Sequence, residues 1–491
     1  MPAVVRPIEI ALWEYLVVAV YTFVVAVIYS RRKLANIKKY PEYKYYLWGL
    51  YTKIAGAVIF SMIYLYYYGN GDTISFFLSS IPLSKILASD PVHYIEAILA
   101  DNSWENRFKI FDPSTGYPIG YVYIDDRTYF LVKLISPITM ISFHSFLLTG
   151  AVIATIAFEG VWRLYRTLVR YYPSLMNKFA FAVLFMPSAV FWGSGIIKDT
   201  FTFSAMCWSI HALDSIFFRR ERIVSSWVQL VVCVLILLAM KPYIFMVLLP
   251  STLLWLVYHR ISKVRSAFLR LLILPAGIVG FALGSYLILL AMGDRLSKFS
   301  LEHALDTIIV GQEDMKRNQR YGDNYFDLGP LDRSWSGVAS KAPQAIMAGL
   351  YRPTLLDSRN AVMIIAAFEN LFLLVLTLVV LWKARIWHLV TLVRFNPMLQ
   401  MFFFFVVVYA FIIGISTPNF GALVRFKIPI LPLMVAGLYI AIHILNERRV
   451  HLNAGRRFDW AWFTDGEEGR PSSSRWNMPA RGQRPAYNIR S

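Results

Sequence analysis

The stretch GNGDT, residues 69–73, places one carboxylate, Asp72, in a glycine-rich turn directly after an apolar segment. A carboxylate at the water edge of a membrane is a candidate general base, able to take the proton of an attacking hydroxyl. The plainer reading is a turn Asp beside Gly69 and Gly71, residue types that suit tight turns. The stretch FWGSGIIKDT, residues 191–200, adds Lys198 and Asp199. Adjacent residues do not face each other on a helix, so these two should have different partners. Gly193 and Gly195 would let the backbone approach a ligand closely; otherwise the segment is a hairpin whose charges reach water. KPY, residues 241–243, brings Lys241 to a second minimal turn, and STPNFGALVRFKIPILP, residues 416–432, carries Arg425 and Lys427. Arg clamps phosphate through paired N–H donors and Lys acts as a point charge. Lys198, Lys241, Arg425 and Lys427 would together suit an anionic headgroup, although each alone is an ordinary interfacial anchor. Within an apolar run, AFENLFLLV carries Glu369 and Asn370. An acid at that depth is costly unless it is paired or faces a wet cavity. With Arg352, Asp357 and Arg359 in the preceding GLYRPTLLDSRN, it either positions substrate hydroxyls or forms a structural Glu–Arg pair.

The elements that must carry these residues are membrane helices. The 491-residue chain is 57% hydrophobic and only 16% charged, whereas a soluble domain averages about a quarter charged residues. A span needs roughly 20 apolar residues, and about eleven candidates occur, near 10–30, 46–68, 143–162, 179–194, 200–218, 224–240, 244–258, 268–292, 361–382, 398–416 and 427–445. The expected fold class is therefore all-α, a polytopic membrane helix bundle. The net charge of +19 would suggest nucleic acid in a soluble protein. Here the basic residues fall in alternate short gaps, such as RRKLANIKKYPEYK and RLYRTLVRYYPSLMNK, as the positive-inside rule requires. That puts the amino terminus outside and the carboxyl terminus in the cytoplasm, and it removes nucleic acid as the explanation of the charge. The first apolar run is followed, not preceded, by its basic cluster, so it reads as a retained span rather than a signal peptide. Cys207 and Cys233 lie inside apolar runs and indicate no disulfide framework.

Two gaps on the opposite face are long, about 70–130 and 293–360, and loops of that length are often functional. Both should carry interfacial helices; the run YFLVKLISPITMISFH, broken by Lys133 and Pro137, should lie in or re-enter the interface. The tail 446–491 is basic and polar and reads as disordered, in the company of anionic lipid. Trp460 and Trp462 look like an interfacial belt. No internal repeat, HExxH, Walker loop or GxSxG elbow is present. Asp125 and Asp126 are adjacent loop acids that could hold a divalent cation, although solvated turn acids are far commoner.

This layout resembles the GT-C superfamily of integral-membrane glycosyltransferases that use polyprenyl-phosphate-linked sugars. The resemblance rests on GNGDT opening a long external loop directly after a span, on the short-turn spans that follow, and on a second large external loop; it covers most of residues 46–445. PSAVFWGSGIIKD, LYRPTLLDSRNAVMIIAAFEN and NFGALVRFKIP are also similar to motifs of bacterial envelope-polysaccharide membrane proteins. The resemblance implies an extra amino-terminal helix with a basic loop (1–45), a GT-C-like core (46–292) with its first external loop at 70–130, a second external loop (293–360), carboxyl-terminal spans (361–445) and the tail. It implies Asp72 as the catalytic residue; Lys198, Lys241, Arg425 and Lys427 would then hold the donor phosphate, and Asp199, Glu369, Asn370 and Arg352 would position substrate. The expected function is a membrane glycosyltransferase or polysaccharide polymerase at the outer face of the bacterial cytoplasmic membrane. Its partners would be lipid-linked glycan, membrane lipids and other envelope biosynthesis proteins. Cationic side chains could serve the phosphate without a metal, and a divalent ion stays open. The rival expectations are a lipid-linked glycan flippase, which predicts charges along a path through the bilayer, and a non-catalytic subunit of an envelope assembly machine.

Overall fold

In hydrocarbon every backbone N–H and C=O must be satisfied within its own segment, which makes long apolar runs helical. The computed structural model describes residues 8–262, 309–310, 324–329, 332, 334–455 and 457–469. Their named elements are all helical. In chain order the described helices are α1 (Leu12–Ile37), α2 (Tyr46–Met62, continued by a π turn Ile63–Tyr67), α3 (Asp72–Ser89), α4 (Pro91–Leu99), α5 (Trp104–Ile110), α6 (Gly120–Ile124), α7 (Asp126–Ile141) and α8 (Phe146–Tyr171). There follow α9 (Met176–Phe179), α10 (Pro187–Trp192), α11 (Lys198–Leu213), α12 (Ile223–Met240) and α13 (Pro242–Ser262). The last six are α14 (Trp335–Ser340), α15 (Ala342–Tyr351), α16 (Ala361–Phe395), α17 (Pro397–Ser416), α18 (Phe420–Phe426) and α19 (Ile430–Asn453).

Eight helices among the described residues are long and apolar enough to cross a membrane: α1, the Pro41–Tyr67 unit around α2, α8, α12, α13, α16, α17 and α19. The chain has the build of a multi-pass membrane protein. The other expected spans differ. The run near 179–194 is broken into α9, a π turn at Ala180–Phe185 and α10, because Pro187 has no N–H to continue the ladder and starts a fresh helix instead. The run near 200–218 is α11 followed by a π turn at Asp214–Arg219. The span expected at 268–292 lies outside the described residues. Several helices also run further than their apolar stretch. The basic segment expected after the third span is largely the last turns of α8, and that after the ninth span is the end of α16.

At the centre, α8 packs against α1, α2 and α11; its Trp162 meets Tyr43 edge-on and Tyr46 at a tilt, and its Phe158 meets Tyr46 at a tilt. The first helix is stitched to this core at both ends, by Ser145 donating to Glu14 at 2.6 Å and by Arg32 on Glu159 at 3.1 Å. The first long loop folds as α3 to α7. Within it α3 lies along α7, joined by the Ser80–Thr139 hydroxyl pair at 2.8 Å, and Ser84 meets His144 at 2.7 Å. Of the second long loop, Asn324 and Phe326 clasp the turn before α18, with Phe326 N donating to the Pro418 carbonyl at 3.0 Å and Phe420 N to that of Asn324 at 3.1 Å.

The expectation of a disordered tail from 446 does not hold for its first part. Helix α19 continues to Asn453, and a 3-10 turn at Trp460–Phe463 tucks back against the bundle. Phe463 is buried, Asn396 Nδ2 donates to its carbonyl at 3.0 Å, and Ser174 bonds Glu467. The polar average of the tail hides Phe458, whose ring packs on those of Trp460, Trp462 and Phe463 and takes apolar surface out of water.

Candidate functional site

Four segments far apart in sequence meet at one end of the bundle. The π turn ending α2 delivers the chain to Gly69 and Gly71, both at positive φ, with Asn70 Oδ1 accepting from Gly71 N at 2.6 Å. A Cβ on Gly71 would come within 2.5 Å of the Tyr64 ring, so space and backbone both require glycine here. Asp72 is the first residue of α3, where a carboxylate is favoured by the helix dipole. Lys198 and Asp199 open α11, Lys241 joins α12 to α13, and Arg425 sits near the end of α18.

Arg425 is the centre. Its Nε lies 2.5 Å from Asp199 Oδ2 and its Nη1 3.1 Å from Asp72 Oδ2. The other oxygen of Asp199 accepts from Lys241 Nζ at 2.5 Å, and that ammonium also lies 4.2 Å from the Phe426 ring centre. Lys198 turns away from Asp199: its Nζ donates to Thr128 Oγ1 at 2.6 Å and lies 3.4 Å from Asp125 Oδ2. The structure thus brings Asp72, Lys198, Asp199, Lys241 and Arg425 to one end of the bundle, with Asp125 and Thr128 joining them.

The two carboxylates on Arg425 are not equivalent. The Asp199 side chain is 4% exposed and that of Asp72 is 53% exposed. Deleting one member of a buried ion pair costs about 3–5 kcal/mol, because it strands the other charge. An exposed pair is worth about 0–1 kcal/mol. Asp199 is therefore the fixed counter-ion and Asp72 the exchangeable one. Burial alone would raise the Asp199 carboxyl, but Arg425 and Lys241 more than offset it and hold it below its ordinary value. Burial pulls Lys241 down to about 8, against the opposing pull of Asp199. Burial likewise lowers Lys198, with Asp125 resisting.

Lys427, Glu369, Asn370 and Arg352 do not join this cluster. Lys427 donates to the Leu350 carbonyl at 3.0 Å, the Arg352 carbonyl at 2.7 Å and Asn370 Oδ1 at 2.9 Å. An ammonium has three donors, so Lys427 has none left for a phosphate. Asn370 Nδ2 holds the Pro353 carbonyl at 2.8 Å, and Glu369 Oε1 accepts from Ser188 N at 2.8 Å, capping the start of α10. Arg352 pairs with Asp357 at 3.0 Å and lies 5.4 Å from the ring centres of both Phe326 and Phe420. The Glu–Arg pair that the sequence suggests is absent among the described residues. Lys427 and Asn370 clasp the end of the second long loop at residues 350–353, and Glu369 ties α16 to α10, so these contacts support neither a phosphate role for Lys427 nor a substrate-positioning role for Glu369, Asn370 and Arg352. Asp125 and Asp126 also part company: Asp126 accepts from Asn102 at 2.8 Å while Asp125 faces Lys198, so their side chains do not converge on one ion.

Gly193 and Gly195 do allow a close approach, but to protein. A Cβ at Gly193 would sit 2.4 Å from the Ala189 carbonyl oxygen and one at Gly195 2.3 Å from the Phe60 ring. The residue that sequence reasoning passed over is Lys53, buried in α2. Its Nζ donates to the Gly193 carbonyl at 2.6 Å and to that of Ala189 at 3.3 Å, satisfying the open end of α10. Its signal was legible: a lone Lys inside the apolar stretch GLYTKIAGAVIF, where an ionisable residue is a site by default. Comparison of the chain with family models, curated proteins and solved structures finds no match.

Proposed function

We propose that the protein transfers a sugar from a polyprenyl-phosphate carrier to a hydroxyl acceptor at the outer face of the bacterial cytoplasmic membrane, as a glycosyltransferase or polysaccharide polymerase of cell-envelope glycan synthesis. The observation that supports this reading is the bonded chain Asp72–Arg425–Asp199–Lys241. It sets an exposed carboxylate against a guanidinium that is held from behind. In the reaction the acceptor hydroxyl gives its proton to the Asp72 carboxylate as its oxygen bonds the anomeric carbon. The carbon–oxygen bond to phosphate breaks, and its electron pair leaves on the phosphate oxygen. Arg425 and Lys198 stabilise that charge, while Asp199 and Lys241 orient Arg425. The amino terminus then lies outside, the basic helix ends and the carboxyl terminus lie in the cytoplasm, and the lipid-linked donor enters from the outer leaflet.

A second reading, a non-catalytic subunit of an envelope assembly machine, has one observation in its favour: Lys198, Lys241 and Arg425 each have a carboxylate partner, as a purely structural network would. Transfer of labelled sugar from a polyprenyl-phosphate donor in proteoliposomes separates the two. The glycosyltransferase reading expects turnover by the wild type and loss of at least about 100-fold in Asp72→Asn, the usual weight of a general base, with the melting temperature unchanged. Equal turnover in both proteins removes Asp72 from the chemistry, and none in either favours the docking subunit.

A further inference from the structure

The geometry points to Asp72 as a stand-in for the donor's phosphate, and we propose that the phosphate of a prenyl phosphate displaces it from Arg425, releasing the carboxylate to act as base. The inference rests on the glycosyl-transfer reading and adds an order to it: donor before acceptor. The argument begins with what Arg425 can offer. Its Nε edge is taken by Asp199, which is itself bonded through both oxygens and buried. Its Nη1 is taken by Asp72. An anion that bonds the guanidinium through the same Nη1 hydrogen competes with that carboxylate for it.

Asp72 is built to leave. It is the more exposed of the two acids, and it stands directly after Gly69, Asn70 and Gly71, where two positive-φ glycines form the link between α2 and α3. A Cβ at Gly69 would meet nothing within 4 Å, whereas Gly71 packs on the Tyr64 ring, so the open part of this link is at Gly69. Asp199 also opens a helix, but it is buried and bonded to cations from two other segments. The exchange replaces one carboxylate by one phosphate on the same donor, so it neither creates nor strands a buried charge. Lys198, on Thr128 and Asp125, is the neighbouring cation that a phosphate's further oxygens would engage. With the donor absent, Asp72 Oδ2 is held on Arg425, and displacement by the donor turns that oxygen toward an acceptor hydroxyl.

The test is the affinity of purified protein for farnesyl phosphate, measured calorimetrically in detergent for the wild type, Asp72→Asn, Asp126→Asn and Arg425→Ala, with inorganic phosphate as the arm that isolates the headgroup. Asp126 is the adjacent acid that faces Asn102 instead of a cation, so it controls for a general change of charge. Removing the competitor in Asp72→Asn should tighten binding about two- to tenfold, the span expected for freeing an exposed ion pair. Asp126→Asn should match the wild type, and Arg425→Ala should bind at least tenfold more weakly. Binding that depends on Arg425 yet is unchanged or weaker in Asp72→Asn overturns the displacement while leaving the phosphate site standing. Equal tightening in Asp126→Asn also overturns it. Absence of binding in the wild type, or indifference to Arg425→Ala, removes the phosphate site and the inference together. A melting curve for each variant shows that the folded protein is being compared.

Discussion

A guanidinium between two acids is stable only if both acids are needed or one is free to go, and Arg425 separates these roles by burial. The buried acid should matter to folding. Asp199→Asn strands Lys241, leaves Arg425 only the exposed Asp72, and should cost about 3–5 kcal/mol, read as a lower midpoint in thermal or denaturant unfolding in detergent. Pairing it with Lys241→Met should recover part of the loss, since one stranded charge goes with it. Equal destabilisation by the single and double variants would contradict the bonded pair. Lys241 also gives the cluster a pH dependence. Its ammonium is held at about 8 rather than near its ordinary value, so it is charged at neutral pH and loses its proton as pH rises through 8. Loss of a cation weakens anion binding. Sulfate, which keeps its charge from pH 7 to 9, should therefore bind less tightly at the upper end, and Lys241→Gln should flatten the profile. A profile as steep in that variant would assign the titration to another group. At this scale the residue types were legible in the sequence and their pairings were not. Arg425 and Lys427 stand two positions apart with the same charge, yet one meets carboxylates and the other meets carbonyls. Chain direction at the end of α18 decides this, and composition does not report it.

The elements that aim these residues are broken helices rather than long ones. Pro187 interrupts the run after α9, and the short α10 ends in the GSGII turn that launches α11 with Lys198 and Asp199. Lys53 caps that turn from α2. Replacing it with Met keeps the volume but leaves the Gly193 carbonyl without its Lys53 donor, while that of Ala189 keeps Gly193 N. This should cost about 1–3 kcal/mol and should also weaken phosphate binding, because the turn sets where α11 begins. Lost stability with phosphate affinity intact would make Lys53 a structural cap only. Long apolar runs such as α17 were readable from length and hydropathy alone. The break at Pro187 was not, because the run reads as one short span on apolar content. Nor was the docking of Trp460–Phe463 readable, since Trp460 and Trp462 in a polar tail look like an interfacial belt until Asn396, which donates to both the Phe463 carbonyl and the Tyr172 hydroxyl, is known.

At the scale of the whole molecule, some of the polar contacts between distant segments lie at the two ends of the bundle. At one, Glu14 meets Ser145, Asp72 meets Arg425 and Lys198 meets Asp125. At the other, Lys44 meets Asn177, Arg170 meets Glu221 and Lys383 meets Asn446. The charge asymmetry between these ends was visible in the sequence because the positive-inside rule acts on counts of Lys and Arg and needs no fold. The cluster's membership needed the fold, since it joins residues 72 and 425 across most of the chain. Every role argued for Asp72 and Arg425 depends on the cluster facing the outer compartment, where a lipid-linked donor would be presented. Labelling of single-cysteine variants in intact cells with a membrane-impermeant maleimide tests this, in a chain whose buried Cys207 and Cys233 are changed to Ser. Asn70→Cys, beside the catalytic candidate, should react without permeabilisation, and Lys38→Cys at the basic end of α1 only after it. The opposite pattern would place Asp72 in the cytoplasm and contradict the account.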